Sequence, residues 1–244
     1  MNKPGMKHGI LALIGGDEFR KGCCITDKKL LRKIGKHCPK IAIIPTAASN
    51  EDPERAIYNG MNHFNSLGAA PFGVMVLTKS DANNQTNLEK IEIADLIYFT
   101  GGNPVYLLDI IQGSPLLQTI MTSYKQGTTI AGSSAGAMIF GQQFKYKNIW
   151  YEALNFVTNS IVVPHHEGTS SSEIIQDTNT DLHGTTKLIG IDSSTALFVH
   201  SGTCSVAGNG KVTFYQEGTH KTFKQADPVS CTVDVNPNAC LNDC

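Results

Sequence analysis

Short apolar runs alternate with stretches of helical periodicity along nearly the whole chain. The runs at 9–14, 41–45, 73–77, 96–100, 128–131, 159–163 and 195–199 are brief and almost uninterrupted by polar residues. That is the pattern of strands buried on both faces rather than one. Between them, residues 27–36, 53–67, 105–124 and 135–140 repeat their apolar positions at helical spacing. A further pair of strands is expected as a hairpin over 203–216. Strands separated by helices need crossover connections. The expected fold is therefore α/β: a three-layer sandwich with a mainly parallel central sheet, helices on both faces and a C-terminal β-hairpin. The chain reads as one α/β domain over 1–244, in which 225–244 is an irregular tail carrying three cysteines.

In such sheets ligands collect at the carboxyl ends of the strands. Five loops follow strands here and are expected along one rim: Gly15-Gly16-Asp17, Pro45-Thr46-Ala47-Ala48-Ser49, Thr100-Gly101-Gly102-Asn103, Gly132-Ser133-Ser134-Ala135 and Pro164-His165-His166-Glu167. Composition adds little to this picture. The 244 residues are 41% hydrophobic and 17% charged, with a net charge of −1, so no electrostatic case exists for nucleic acid or an anionic membrane. No segment approaches the roughly 20 apolar residues of a membrane helix, and the run at 9–14 reads as a first strand rather than a secretory signal. Seven cysteines, an odd number without C-x-x-C pairs, favour neither a disulfide framework nor a zinc site. A reduced, cytoplasmic protein without a metal site is expected, although Cys240 and Cys244 could pair or bind metal loosely.

The chemistry concentrates in Gly132-Ser133-Ser134-Ala135-Gly136, which fits G-x-S-x-G. A nucleophilic Ser must project from a tight turn, so small residues must flank it, and the following helix aims free N–H groups at the same spot. A plain glycine-rich connector between strand and helix has the same composition. An oxyanion hole would draw on the N–H groups of Ala135 and Gly102. Asn103 and Pro104 also read as the N-cap and first residue of a helix. Of eight histidines, His165 and His166 follow an apolar run and so stand at a strand end. His165 is the leading general base and His166 the reserve. The order Ser134 then His165 differs from that of α/β-hydrolases, which place the His last.

These ordered motifs resemble the cyanophycinase and dipeptidase E group of serine peptidases, whose fold is like that of class I glutamine amidotransferases (flavodoxin-like). The resemblance rests on Gly15-Gly16, Ile43-Ile44-Pro45-Thr46-Ala47, Phe99-Thr100-Gly101-Gly102-Asn103, Gly132-Ser133-Ser134-Ala135-Gly136-Ala137, Pro164-His165 and Gly190-Ile191-Asp192-Ser193-Ser194-Thr195-Ala196, and spans about 9–216. It implies a serine peptidase acting without a cofactor on small peptide, isopeptide or amide bonds. It assigns Ser134 as nucleophile, His165 as base and the Gly102 and Ala135 N–H groups as oxyanion donors, and it implies a homodimer.

Two departures accompany it. Where the group carries a catalytic Glu after the Asp, this chain has Ser193. Asp192 is the expected acid, with Glu152 and Glu167 as the other carboxylates that could approach. The basic residues with which relatives hold an acidic substrate after the catalytic His are absent, since His166-Glu-Gly-Thr-Ser-Ser-Ser-Glu-Ile174 contains no Arg or Lys. Cleavage of a multi-arginyl poly-aspartate or of Asp-X dipeptides is therefore not expected. Asn103, His166 and Gly16 are the candidates for holding substrate, His166 as a weak, protonation-dependent anion site. Two alternatives remain: a member that has lost turnover and binds or regulates, and, by fold analogy, amidotransferase-like chemistry, which normally uses Cys in the turn.

Overall fold

Alternation of side chains along each strand decides the architecture of the computed structural model, which describes residues 8–168 and 186–238. Along β1 (Leu11–Ile14), Leu11 and Leu13 enter one buried cluster while Ala12 and Ile14 enter another. The same split recurs in β2 (Lys40–Ile44), β4 (Leu96–Phe99) and β5 (Thr129–Ser133): Ala42, Ile44, Ile97, Phe99 and Ile130 face one way, and Ile41, Ile43, Leu96, Tyr98 and Ala131 the other. A strand pointing its side chains alternately to opposite faces must be covered on both when every position is apolar. One face is closed by α1 (Cys24–Ile34) and α2 (Pro53–Ser66), through Leu30, Leu31 and Phe64. The other is closed by α4 (Gln85–Glu92), α5 (Pro104–Ile111), α6 (Pro115–Lys125) and α7 (Ala135–Met138). A single-turn α3 (Lys79–Ala82) connects β3 to α4.

The central sheet has seven strands in the order β11-β10-β1-β5-β4-β2-β3. β1, β5, β4, β2 and β3 (Ala70–Gly73) run parallel, while β10 (Thr195–His200) is antiparallel to β1 and β11 (Thr203–Gly208) antiparallel to β10. The expected mainly parallel sandwich is borne out. A second sheet, β13-β12-β9-β8, joins β8 (Ser160–Val163), β9 (Lys187–Ile191), β12 (Lys211–Gln216) and β13 (Thr219–Lys224). It extends the core on the α5–α7 side through Val162, Ile189, Ile191, Val212 and Phe214. β6 (Gln143–Tyr146) and β7 (Ile149–Glu152) form a separate hairpin.

Several elements differ from the sequence reading. The helix expected over 105–124 is two, because Gly113 adopts φ 68° and Ser114-Pro115 caps and opens a new helix, with Ser114 Oγ accepting from Leu117 N–H. The strand expected at 73–77 pairs at Ala70–Gly73 instead. It is the sheet edge, where the missing N–H of Pro71 interrupts no ladder. The hairpin expected over 203–216 does not form: β11 pairs with β10, and β12 crosses to the second sheet to pair with β9 and β13. The start of the tail is irregular but packs back, with Val233 buried and Val235 bridged to Val157; Cys240 and Cys244 lie outside the described residues. Among the described residues, no helix is long and apolar enough to cross a membrane.

Candidate active site

Three neighbouring strands, β4, β5 and β1, end in the glycine loop at 101–102, in Ser134 and in Gly15-Gly16 respectively. Ser134 has φ 49° and ψ −112°, a conformation that costs a non-glycine residue on the order of 1–3 kcal/mol and persists only where the surroundings impose it. Its N–H donates to Ile14 O at 3.0 Å, and its carbonyl accepts from the Ala137 and Met138 N–H groups at 2.9 and 3.0 Å. The flanking glycines are required by contact: a Cβ on Gly132 would stand 2.2 Å from Gly136 O, and one on Gly136 2.8 Å from Phe99. Tightness, not flexibility, is what the G-x-S-x-G spacing encodes here.

Gly102 has φ 133°, and a Cβ there would stand 2.2 Å from Ala47 O. That close approach to the β2 loop is locked by Asn103 N–H donating to Ala47 O at 2.8 Å. Among the described residues, the N–H groups of Gly102 and Ala135 find no protein acceptor. The Gly101 N–H is taken instead by Glu18 Oε1, at 2.6 Å. α7 is a single turn, so any anion beside Ser134 would be met by individual N–H groups rather than by a long helix.

His165 follows β8, so the fifth loop reaches the rim from the second sheet and not from the central one. It is tied in by His165 N–H donating to Gly15 O at 2.8 Å. Its ring lies over Gly16, where a Cβ would come within 2.0 Å of Cε1. Nε2 is 3.1 Å from Ser134 Oγ and Nδ1 is 2.9 Å from Ser193 Oγ. Ser193 is in turn clamped by Glu167: its O–H donates to Oε1 at 2.5 Å and its N–H to Oε2 at 2.7 Å. With the Ser193 proton committed to Glu167, its oxygen must accept from Nδ1–H. Nε2 is then left as the acceptor facing Ser134. Desolvation tends to raise the Glu167 carboxyl, but the hydrogen bonds from Ser193 and the nearby His165 outweigh it and hold the pKa below the ordinary value.

The structure does not bring the expected acid to His165. Asp192 is buried, with Oδ2 accepting from Lys211 N–H at 3.0 Å and Oδ1 3.7 Å from His166 Nδ1. Past the end of β9 the chain turns, and Ser193 faces the rim while Asp192 faces the interior. Glu152 bonds Gln143 across the β6–β7 hairpin. Of the three carboxylates, Glu167 is the one that arrives, and it does so through Ser193. His166 is not at the substrate surface either: it is buried, 3.0 Å from the Tyr215 hydroxyl, with burial lowering its pKa. Asn103 spends its side chain capping α5 at the Val105 and Tyr106 N–H groups. Gly16 makes room for His165 rather than lining a binding surface.

Glu18 was missed by sequence reasoning. The signal was an acidic pair, Asp17-Glu18, directly after the strand-terminal Gly15-Gly16. The cavity over Ser134 and His165 encloses about 1060 Å³ and is also lined by Glu18, Gly101 and Gly102. Among the described residues, no group of three or more His, Cys, Asp or Glu side chains could hold a metal ion.

The family model described as peptidase family S51 matches residues 11–207. The chain belongs to peptidase family S51. An uncharacterised peptidase of Listeria monocytogenes is 29% identical over 170 residues, covering 65% of this chain and 81% of the relative. A cyanophycinase of Synechococcus elongatus is 24% identical over 224 residues, covering 84% of this chain and 67% of the relative. Among solved structures, a peptidase from an acI-B1 Actinobacterium superposes with TM-score 0.80 at 29% identity, covering 93% of this chain and 98% of that one. A putative peptidase E of Listeria monocytogenes superposes with TM-score 0.62 at 22% identity, covering 83% of this chain and all of the other, and supports the shared fold. Membership of S51 makes peptidase activity the coarse function of this chain.

Proposed function

We propose that this S51 member is a serine-type peptidase that cleaves small peptide or amide bonds with Ser134 as nucleophile and His165 as base. The observation that carries the reading is a serine held at positive φ with its Oγ 3.1 Å from a histidine nitrogen whose tautomer its other partner dictates. His165 Nε2 takes the Ser134 proton as Oγ attacks the carbonyl carbon. The tetrahedral oxyanion is met by the Gly102 and Ala135 N–H groups, each such donor supplying on the order of 10²–10³ in rate. Ser193, polarised by Glu167, steadies the imidazolium through Nδ1. His165 then gives its proton to the leaving amine, and a water, activated by the same nitrogen, releases the acyl group and restores Ser134.

The catalytic acid in this proposal is Glu167 acting through Ser193, in place of Asp192. Two features motivate a purely binding role, Ser193 in the acid position and the missing basic residues; the Ser193–Glu167 contact weakens the first alone. The five described cysteines are free thiols, and the cytoplasmic setting stays part of the proposal. A fluorophosphonate probe read by intact mass tests the reading. One adduct is expected on the wild type and none on Ser134→Ala; an unlabelled wild type contradicts it.

A further inference from the structure

Glu18 stands beside the nucleophile with no task in the mechanism above. Its backbone is fixed on both sides. Asp17 and Phe19 both adopt positive φ, 60° and 65°, and the Phe19 ring packs against Tyr98 and Phe64 at centroid distances of 5.1 and 5.9 Å. Two strained residues around one carboxylate mark a position that the fold holds at a cost. The carboxylate is aimed at the nucleophile loop, where it accepts from Gly101 N–H at 2.6 Å and from Ser133 O–H at 2.7 Å. A Cβ built on Gly101 would stand 2.8 Å from Glu18 Oε1 and 3.3 Å from Ser134 Cβ, so carboxylate and nucleophile flank the same glycine.

Both donors are neutral. A carboxylate has about four lone-pair sites, of which these fill two. Among the described residues Glu18 has no cationic partner, since Arg20 pairs with Asp17 at 3.4 Å. Lys21 and Arg55 line the same cavity but are exposed. The cavity thus presents an uncompensated negative charge next to the place where the reaction must build a second one. A neutral or acidic substrate would develop its oxyanion against that charge, whereas a cationic one would neutralise it.

Resting on the serine-peptidase reading, we propose that Glu18 is the specificity residue of this site. It receives a cationic group, ammonium or guanidinium, on the residue that supplies the scissile carbonyl. Two sources have that chemistry: the α-ammonium of an unblocked N-terminal residue, two bonds from the carbonyl carbon, and a basic side chain.

Calorimetry on Ser134→Ala separates the sources and needs no turnover. Alanine amide carries the α-ammonium, N-acetyl-arginine amide the side-chain cation, N-acetyl-alanine amide neither, and N-acetyl-aspartate amide the opposite charge. At least one cationic amide is expected to bind about tenfold or more tighter than the neutral one, the scale of a charge-assisted hydrogen bond, and the aspartate amide more weakly still. Adding Glu18→Gln should bring the cationic and neutral ligands within about twofold. Glu18→Asp, which keeps the charge, should retain part of the preference and guards against a misfolded Gln variant. Equal binding of cationic and neutral amides, preference for the aspartate amide, a preference that survives Glu18→Gln, or no measurable binding of either cationic amide overturns the assignment. Labelling of wild-type Ser134 by the fluorophosphonate reports separately on the parent reading, so the two failures are distinguishable.

Discussion

His165 and His166 are adjacent, each lies near a residue of the 192–193 segment, and their environments share almost nothing. His165 is exposed on the rim, 3.1 Å from Ser134 and 2.9 Å from Ser193. His166 is buried beneath it, against Tyr215 and Asp192, in a space that exists only because Gly190 lacks a side chain: a Cβ there would stand 2.3 Å from the ring. Bends and turns, not strand alternation, reverse the side chains: His165 adopts φ 50°, and 192–193 runs from the end of β9 into a turn. On the proposed reading the outer pair moves protons, while the inner pair ties together strand ends of the second sheet. A carboxylate next to a histidine therefore does not identify a catalytic acid; which face both occupy does.

The sharpest way to break this division is to delete its outer half. Ser134→Ala and His165→Ala should each lower peptidase kcat/KM on the order of 10⁴-fold or more, with thermal stability little changed. Next in size, Gly16→Ala puts a methyl group into the His165 ring at a φ of +124° and should cost about 10²-fold or more through misplacement of the base, measured as kcat at saturating substrate. By contrast His166→Ala removes a buried ring that bonds the Tyr215 hydroxyl and lies beside Asp192. It should lower unfolding free energy in denaturant titration by about 1–3 kcal/mol and leave Ser134 reactive. If His166→Ala abolished labelling without loss of stability, the inner pair would be catalytic after all.

Acid titration gives the smallest and most discriminating effects. Burial lowers the folded pKa of His166 below its ordinary 6.5, so below that pH the unfolded chain binds more protons and stability falls. The slope from this one group is at most about 1.4 kcal/mol per pH unit, and His166→Gln should remove it. Glu167 behaves oppositely. Its folded pKa lies below the ordinary 4.5, so its contribution is present above that pH and is lost as pH falls through the folded value. Because Glu167 is exposed, the amplitude should be small. Urea titrations across pH 3–7 would separate the two.

Much of the frame was legible in the sequence because buried parallel strands have no polar face to disguise them. The G-x-S-x-G turn, the paired glycines at 101–102 and the strand end before His165 could be placed from apolar runs alone. Strand partners were not legible. β11 and β12 are consecutive and both apolar, and only packing decides that they belong to different sheets. The proposed acid, Glu167, stood in the sequence only as an alternative to Asp192, for a related reason. Its identity depends on which way Asp192 and Ser193 point, and on a hydroxyl bridging to Glu167 from another loop, neither of which has a local signature. Glu18 was overlooked because one carboxylate after a glycine pair looks like any solvated turn until Gly101 and Ser133 are brought against it.

The bridge from Glu167 through Ser193 to His165 is the central claim, and the rate of fluorophosphonate labelling of Ser134 tests it most directly. Glu167→Gln and Ser193→Ala should each slow labelling about 10²-fold, while Asp192→Asn should stay within about threefold of wild type once its folding is verified. Asp192→Asn slowing the reaction as much as Glu167→Gln, or Glu167→Gln leaving it unchanged, would contradict the account.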